Sequence, residues 1–147
     1  GHHGTYGGGE LLADGQVSRR IIGIPLTGEN NTTAIADSDD GALDGDPSVD
    51  RAVGPMQFIP TTWSRWGRDG DGDGDRDPQN IYDATAAAAA YLCNGRTLRD
   101  DAGLRAAFFS YNHSEAYVEA VLSYAHGYAP LRIPPPLPAP PVSPIAP

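Results

Sequence analysis

Asp69-Gly70-Asp71-Gly72-Asp73-Gly74-Asp75-Arg76-Asp77-Pro78-Gln79-Asn80 is the stretch on which the reading of this chain turns. It is either a metal loop or a turn whose like charges repel one another, and five carboxylates packed so closely favour a bound cation. With Asp69 as position 1, side-chain oxygens fall at positions 3, 5 and 9, glycine at position 6, and position 7 offers its carbonyl. Starting at Asp71 instead puts Arg76 where the sharp turn needs glycine and Tyr82 where the last oxygen belongs. The favoured register ends on Asn80 rather than a bidentate glutamate, so further oxygens must come from elsewhere, Asp83 or water being the nearest sources.

The rest of the 147 residues bounds what such a loop can serve. The length suits one compact domain over residues 1–130 with a single core, followed by a tail over 131–147. The net charge is −9 and the acidic residues bunch at Asp37–Asp50 and in the loop, so the chain repels nucleic acid. There is no apolar run of membrane-spanning length and no signal peptide at this N-terminus. The abrupt opening at Gly1-His2-His3-Gly4 reads as a trimmed or partial chain, with His2 and His3 either native or remnants of a tag.

Mainly helical structure is expected after a long irregular start. Gly7-Gly8-Gly9, Thr27-Gly28-Glu29-Asn30-Asn31 and Asp44-Gly45-Asp46-Pro47 are turn formers, separated only by the apolar run Ile21 to Leu26. Asp37-Ser38-Asp39-Asp40-Gly41 lacks regular metal-loop spacing and reads as a solvated turn. Pro60 suits the first turn of a helix through Trp63 and Trp66 to Gly67. Asp83 can cap a helix over the alanine run Ala84 to Leu92. Ala102 to Ser110 makes a third helix, with Leu104, Ala107 and Phe108 on one face, broken by Asn112-His113-Ser114. Ser114 then caps a fourth, striped by Tyr117, Val118, Val121, Leu122 and Ala125 and ended by Gly127. Ile133 to Pro141 is expected to be extended polyproline II. Cys93, the single cysteine, taken alone reads as a small buried hydrophobe.

Two constellations point to chemistry. In Gly54-Pro55-Met56-Gln57-Phe58 one amide sits among apolar residues, where burial without a partner is costly. In Ser110-Tyr111-Asn112-His113 a phenol, an amide and an imidazole meet at a helix break, a setting for a ligand wall. Each alone also fits a structural role, Gln57 as a satisfied core amide and Asn112 as a cap.

Taken in order, Asp50-Arg51-Ala52-Val53-Gly54-Pro55-Met56-Gln57-Phe58-Ile59-Pro60-Thr61-Thr62-Trp63, the Asp loop running into Asp77-Pro78-Gln79-Asn80-Ile81-Tyr82-Asp83-Ala84, and Ser110-Tyr111-Asn112-His113-Ser114-Glu115-Ala116-Tyr117-Val118 resemble a bacterial peptidoglycan lytic transglycosylase. The nearest type is the membrane-bound B class with its actinobacterial relatives, and the resemblance runs over roughly Gly1 to Tyr128. It implies a mainly α, lysozyme-like domain with long N-terminal loops, an EF-hand-like calcium loop and a Pro-rich C-terminal tail. It also implies a monomer outside the cytoplasm, with peptidoglycan glycan strands as partner. The family cleaves the bond between N-acetylmuramic acid and N-acetylglucosamine without water, leaving a 1,6-anhydro ring. On this resemblance Met56, Gln57 and Phe58 line the sugar cleft, and Tyr111 and Asn112 lie beneath the catalytic acid. A structural calcium is held by Asp69, Asp71, Asp73, Asp75 through its carbonyl, and Asp77, with Asn80 departing from the expected carboxylate and Asp83 either a ligand or a helix cap.

The family's catalytic glutamate precedes a short x-x-His-Gly pattern, and His3-Gly4 resembles its tail, which places the glutamate immediately before Gly1. One carboxyl must protonate the glycosidic oxygen and then deprotonate the attacking 6-hydroxyl. The chain as given is therefore expected to be inactive, since Glu10 and Glu29 sit in Gly- or Asn-rich loops and suit the role poorly. The resemblance likewise implies a disulfide partner for Cys93 in an upstream helix. Two rivals stand beside the enzyme: a catalytically silent, calcium-stabilised wall-binding module, and a hydrolytic muramidase.

Overall fold

The computed structural model describes residues 8–30 and 32–128. The Pro-rich segment, His2 and His3 lie outside them. Among the described residues are two short strands, β1 (Ile22–Pro25) and β2 (Arg51–Val53), and four helices, α1 (Pro60–Trp66), α2 (Ile81–Cys93), α3 (Asp101–Tyr111) and α4 (Glu115–Tyr128). The mainly α expectation stands at that level. The chain divides into two compact units between Thr97 and Leu98.

In the first unit the apolar run Ile21 to Leu26 becomes β1, which pairs antiparallel with β2, Ile22 opposite Val53 and Pro25 opposite Arg51. The sequence reading left this region irregular, because three residues at Arg51–Val53 carry too little pattern to declare a strand. The core here consists of Val17, Ile21, Val53, Phe58, Trp63, Ala84, Ala87 and Ala88. Phe58 meets Trp63 edge-on with ring centres 5.3 Å apart, seating the segment before α1 on the helix itself. Trp66 meets Tyr91 in the same way at 5.7 Å, joining α1 to α2. Pro60 opens α1 as expected, and Gly67 closes it by donating to the Trp63 carbonyl at 2.7 Å.

Helix α2 starts earlier than its alanines suggest. Asn80 caps it, its Oδ1 accepting from the Tyr82 N–H at 2.9 Å, so Asp83 is a buried first-turn residue and not the cap. Cys93 is exposed, which removes the buried-hydrophobe reading. The buried face of α2 is Asp83, Ala84, Ala87 and Ala88, and Cys93 falls about 180° round the helix from Ala84.

In the second unit α3 is capped by Asp100, whose carboxylate accepts from the Gly103 N–H at 2.8 Å. Ala107 and Phe108 of α3, and Val118 and Leu122 of α4, are its buried apolar residues. Ser114 caps α4 through Tyr117, and α4 continues past Gly127 to Tyr128, since a single glycine near a helix end weakens a helix without ending it. Arg105 and Glu119 pair through both guanidinium nitrogens, and His126 Nε2 lies 2.8 Å from Asp101 Oδ1.

The Arg105 hydrogen bond holds the Glu119 carboxyl below its ordinary value. A lowered folded-state value stabilises above the unfolded value and is lost as pH falls through the folded one. Glu119→Gln should therefore flatten the acid limb of the stability profile over that window. The effect should be small because both side chains are exposed, and denaturant midpoints measured across acid pH check it.

Candidate functional site

The segment Gly54–Phe58 folds into a closed turn. Val53 and Phe58 exchange backbone hydrogen bonds in both directions, at 2.8 and 3.0 Å, and Gln57 N–H donates to the Gly54 carbonyl at 3.0 Å. Gln57 has a φ of 54°, a left-handed conformation that costs a non-glycine residue about 1–2 kcal/mol. Its side chain is exposed, which removes the core-amide alternative, and its Nε2 donates to the same Gly54 carbonyl at 3.0 Å and to Ala52 at 3.4 Å. Two donors from one residue thus converge on one carbonyl, which fixes both the backbone and the amide plane. Phe58 is buried and Met56 half-buried, so Gln57 is the polar member of the three that faces solvent.

The acidic loop follows α1. Asp69, Asp71 and Asp83 each bring a carboxylate oxygen within 4.8 Å of the others. Asp83 is almost fully buried, with Oδ1 accepting from Gly70 N–H at 2.7 Å and Oδ2 from Asp77 N–H at 2.8 Å. Its place in the first turn of α2 also puts its charge at the positive end of the helix dipole. Gly70 is required by this closure, since a Cβ there would run into the Tyr82 carbonyl. All three groups are hard oxygen donors gathered at one point, a set that fits calcium.

The other expected ligands are used differently. Asp73 accepts from the Asp75 N–H and Asp77 from the Gln79 N–H, both at 2.8 Å, and neither belongs to the converging group. Asp75, expected to offer its backbone carbonyl, has an exposed side chain. Asn80 spends its oxygen on the α2 cap and donates from Nδ2 to Asp71 Oδ2 at 2.6 Å, so it orients a carboxylate of the group. Asp83, the spare oxygen of the sequence reading, is the member around which the loop closes.

Asp37, Asp39 and Asp50 form a second convergence that the sequence reading treated as a solvated turn. Asp50 is fully buried and accepts from both the N–H and the hydroxyl of Ser38, at 3.0 and 2.8 Å. Asp39 accepts from Leu43 N–H through Oδ2 at 2.9 Å, while its Oδ1 is buried without a hydrogen-bond partner. Beside them, the hydrogen bond from Arg51 holds the Asp46 carboxyl below its ordinary range.

Tyr111 and Asn112 belong to the second unit, at the helix break where they were expected. Asn112 N–H donates to Phe108 and closes α3, and its side chain is exposed, while Tyr111 is half-buried. Glu10 and Glu29 are both exposed loop residues.

Residues 34–100, less than half of the chain, match the family described as the transglycosylase SLT domain. The matched segment contains the Gly54–Phe58 turn and the whole acidic loop, and stops before Tyr111 and Asn112. It supports the lytic transglycosylase resemblance in its general form. No curated protein and no solved structure matches the chain.

Asp83→Ala should destabilise the protein by about 3–6 kcal/mol in chelator, because two charge-assisted bonds are lost, each contributing about 1.5–3 kcal/mol. Relief of repulsion from Asp69 and Asp71 offsets little of this, since both are exposed and screened. Urea denaturation of the two proteins measures the difference.

Proposed function

We propose that this chain is part of a peptidoglycan lytic transglycosylase, of the membrane-bound B type with its actinobacterial relatives, acting outside the cytoplasm on glycan strands. The observation that carries the reading is the family match over residues 34–100, which includes a turn that holds an exposed amide, Gln57, in a left-handed conformation. The reaction cleaves the bond between N-acetylmuramic acid and N-acetylglucosamine and closes a 1,6-anhydro ring on the muramic acid. A single glutamate acts first as acid towards the glycosidic oxygen and then as base towards the 6-hydroxyl. Gln57 contributes a hydrogen bond to the sugar or to the acid, and Met56 and Phe58 give the turn its apolar footing. Tyr111 and Asn112 serve beneath the acid.

Calcium has a structural part in this proposal. Asp69, Asp71 and Asp83 hold it, and it supplies positive charge that offsets their mutual repulsion and closes the loop. The steps of the reaction belong to the carboxyl and to the groups that orient the sugar.

The rival readings are a catalytically silent, calcium-stabilised wall-binding module and a hydrolytic muramidase. Digestion of purified peptidoglycan by the protein as its cell makes it separates the readings. Anhydro products support the transglycosylase, products heavier by one water identify a hydrolytic muramidase, and binding without cleavage identifies the silent module.

Two outcomes are expected from the residues named. Gln57→Ala and Asn112→Ala should each lower turnover at least tenfold while changing the denaturation midpoint little, because both side chains are exposed. Calcium at about a hundred times its dissociation constant should add about 2.7 kcal/mol to folding, seen as a rise in melting temperature that chelator reverses. An unchanged melting temperature would count against the cation.

A further inference from the structure

Gln79 stands where the acidic loop ends, and its side chain is buried with only 5 % exposure. Its Oε1 accepts from the Ile21 N–H at 2.8 Å and its Nε2 donates to the Ile21 carbonyl at 3.1 Å. One side-chain amide thus pairs with both backbone groups of one residue, as a neighbouring strand would. Ile21 is itself buried, at 2 % exposure, so this pairing meets a need that water cannot.

The same Ile21 carbonyl accepts from Gly54 N–H at 2.8 Å. Gly54, at a φ of 75°, lies so close to the loop that a Cβ there would overlap the Pro78 carbonyl oxygen. Gly54 in turn offers the carbonyl that takes both donors of Gln57. On the other side of that amide, a Cβ on Gly23 of β1 would stand 3.1 Å from Gln57 Oε1, which places the oxygen against the strand that Ile21 leads into. Gln79 therefore holds the element that faces Gln57 from both directions, the Gly54 carbonyl and the start of β1.

We propose that Gln79 is a positioning residue: through Ile21 and Gly54 it holds Gln57 in its left-handed, amide-fixed conformation, and so fixes the group that meets the glycan. That last clause rests on the transglycosylase reading, whereas the positioning itself does not. A left-handed glutamine persists only where its surroundings over-determine it. The Gln79 amide supplies its part from a side chain 58 residues distant from Ile21.

The test uses the full chain, isotopically labelled, with Gln79→Ala and Gln79→Glu. In Gln79→Ala, the Gln57 side-chain amide signals should shift and their exchange with solvent should quicken at least tenfold, while Ala107 and Phe108 keep their positions. Gln79→Glu keeps an oxygen for the Ile21 N–H, but its carboxylate faces the Ile21 carbonyl. On protonation it regains a donor, so its Gln57 signals should return towards the wild-type positions as pH falls, measured against wild type at each pH. Gln57 signals unchanged in folded Gln79→Ala would overturn the proposal. If Gln79→Ala does not fold, Gln79→Glu decides, and Gln57 signals in it that fail to follow pH would overturn it equally. Affinity for a soluble glycan fragment forms a separate arm. Gln57→Ala and Gln79→Ala should weaken it to a similar extent, and the double variant should add little. Unchanged affinity in Gln57→Ala would sink the sugar contact and leave the positioning to the spectra.

Discussion

A carboxylate buried at the start of a helix must find donors, and Asp83 finds them in the backbone of a loop that would otherwise repel itself. Its two oxygens bind Gly70 near the beginning of the loop and Asp77 near its end, which draws both limbs onto the first turn of α2. Once Asp77 is held, Pro78 and Gln79 are delivered against Gly54 and Ile21. The same closure places Asn80 where it can cap α2, and Ile81 N–H where it can donate to the Gly15 carbonyl at 2.8 Å. Helix start, loop, strand pair and N-terminal segment thus share one anchoring point.

Close backbone approach does the rest. Gly15 permits contact with the side chains of Tyr82 and Asn80, Gly70 with the Tyr82 carbonyl, and Gly54 with the Pro78 carbonyl. These are contacts between distant segments, and no side chain larger than hydrogen would admit them. The glycines in the acidic loop have two distinct uses: Gly70 makes room, whereas Gly72 and Gly74 have open space and supply positive φ.

What the sequence made legible follows from the range of the forces involved. The apolar spacing of Ala107 with Phe108 and of Val118 with Leu122 is local, and both helices lie where that spacing puts them. The carboxylate spacing of the loop was equally local, and it led to Asp69 and Asp71. Strand β2 was not legible, because Arg51–Val53 is a strand only through β1 and through its bridge from Val53 to Phe58. Residue type left Gln57 open between a cleft residue and a core amide, because its exposure depends on a left-handed turn that Gly54 and the segment beneath it impose. The sequence offered Asp83 as the cap where the structure has Asn80, and residue type does not separate them, since both cap helices well. Burial decided it: Asp83 turns to the loop, and Asn80 is left at the helix end.

The concentration of aspartate has a structural cause. Irregular backbone carries N–H groups that no helix or sheet satisfies, and a short carboxylate can accept them from two to four residues away. Asp14, Asp37, Asp39, Asp44, Asp46, Asp69, Asp71, Asp73 and Asp77 all accept such local bonds. The chain's net charge of −9 is therefore largely the consequence of building its first unit from turns. Where these turns bring carboxylates together, as at Asp69, Asp71 and Asp83, the same economy creates repulsion that the fold must offset. The helix dipole at Asp83 acts in that direction. The geometry that makes the loop foldable is thus also the geometry that gathers the carboxylates of Asp69, Asp71 and Asp83 at one point.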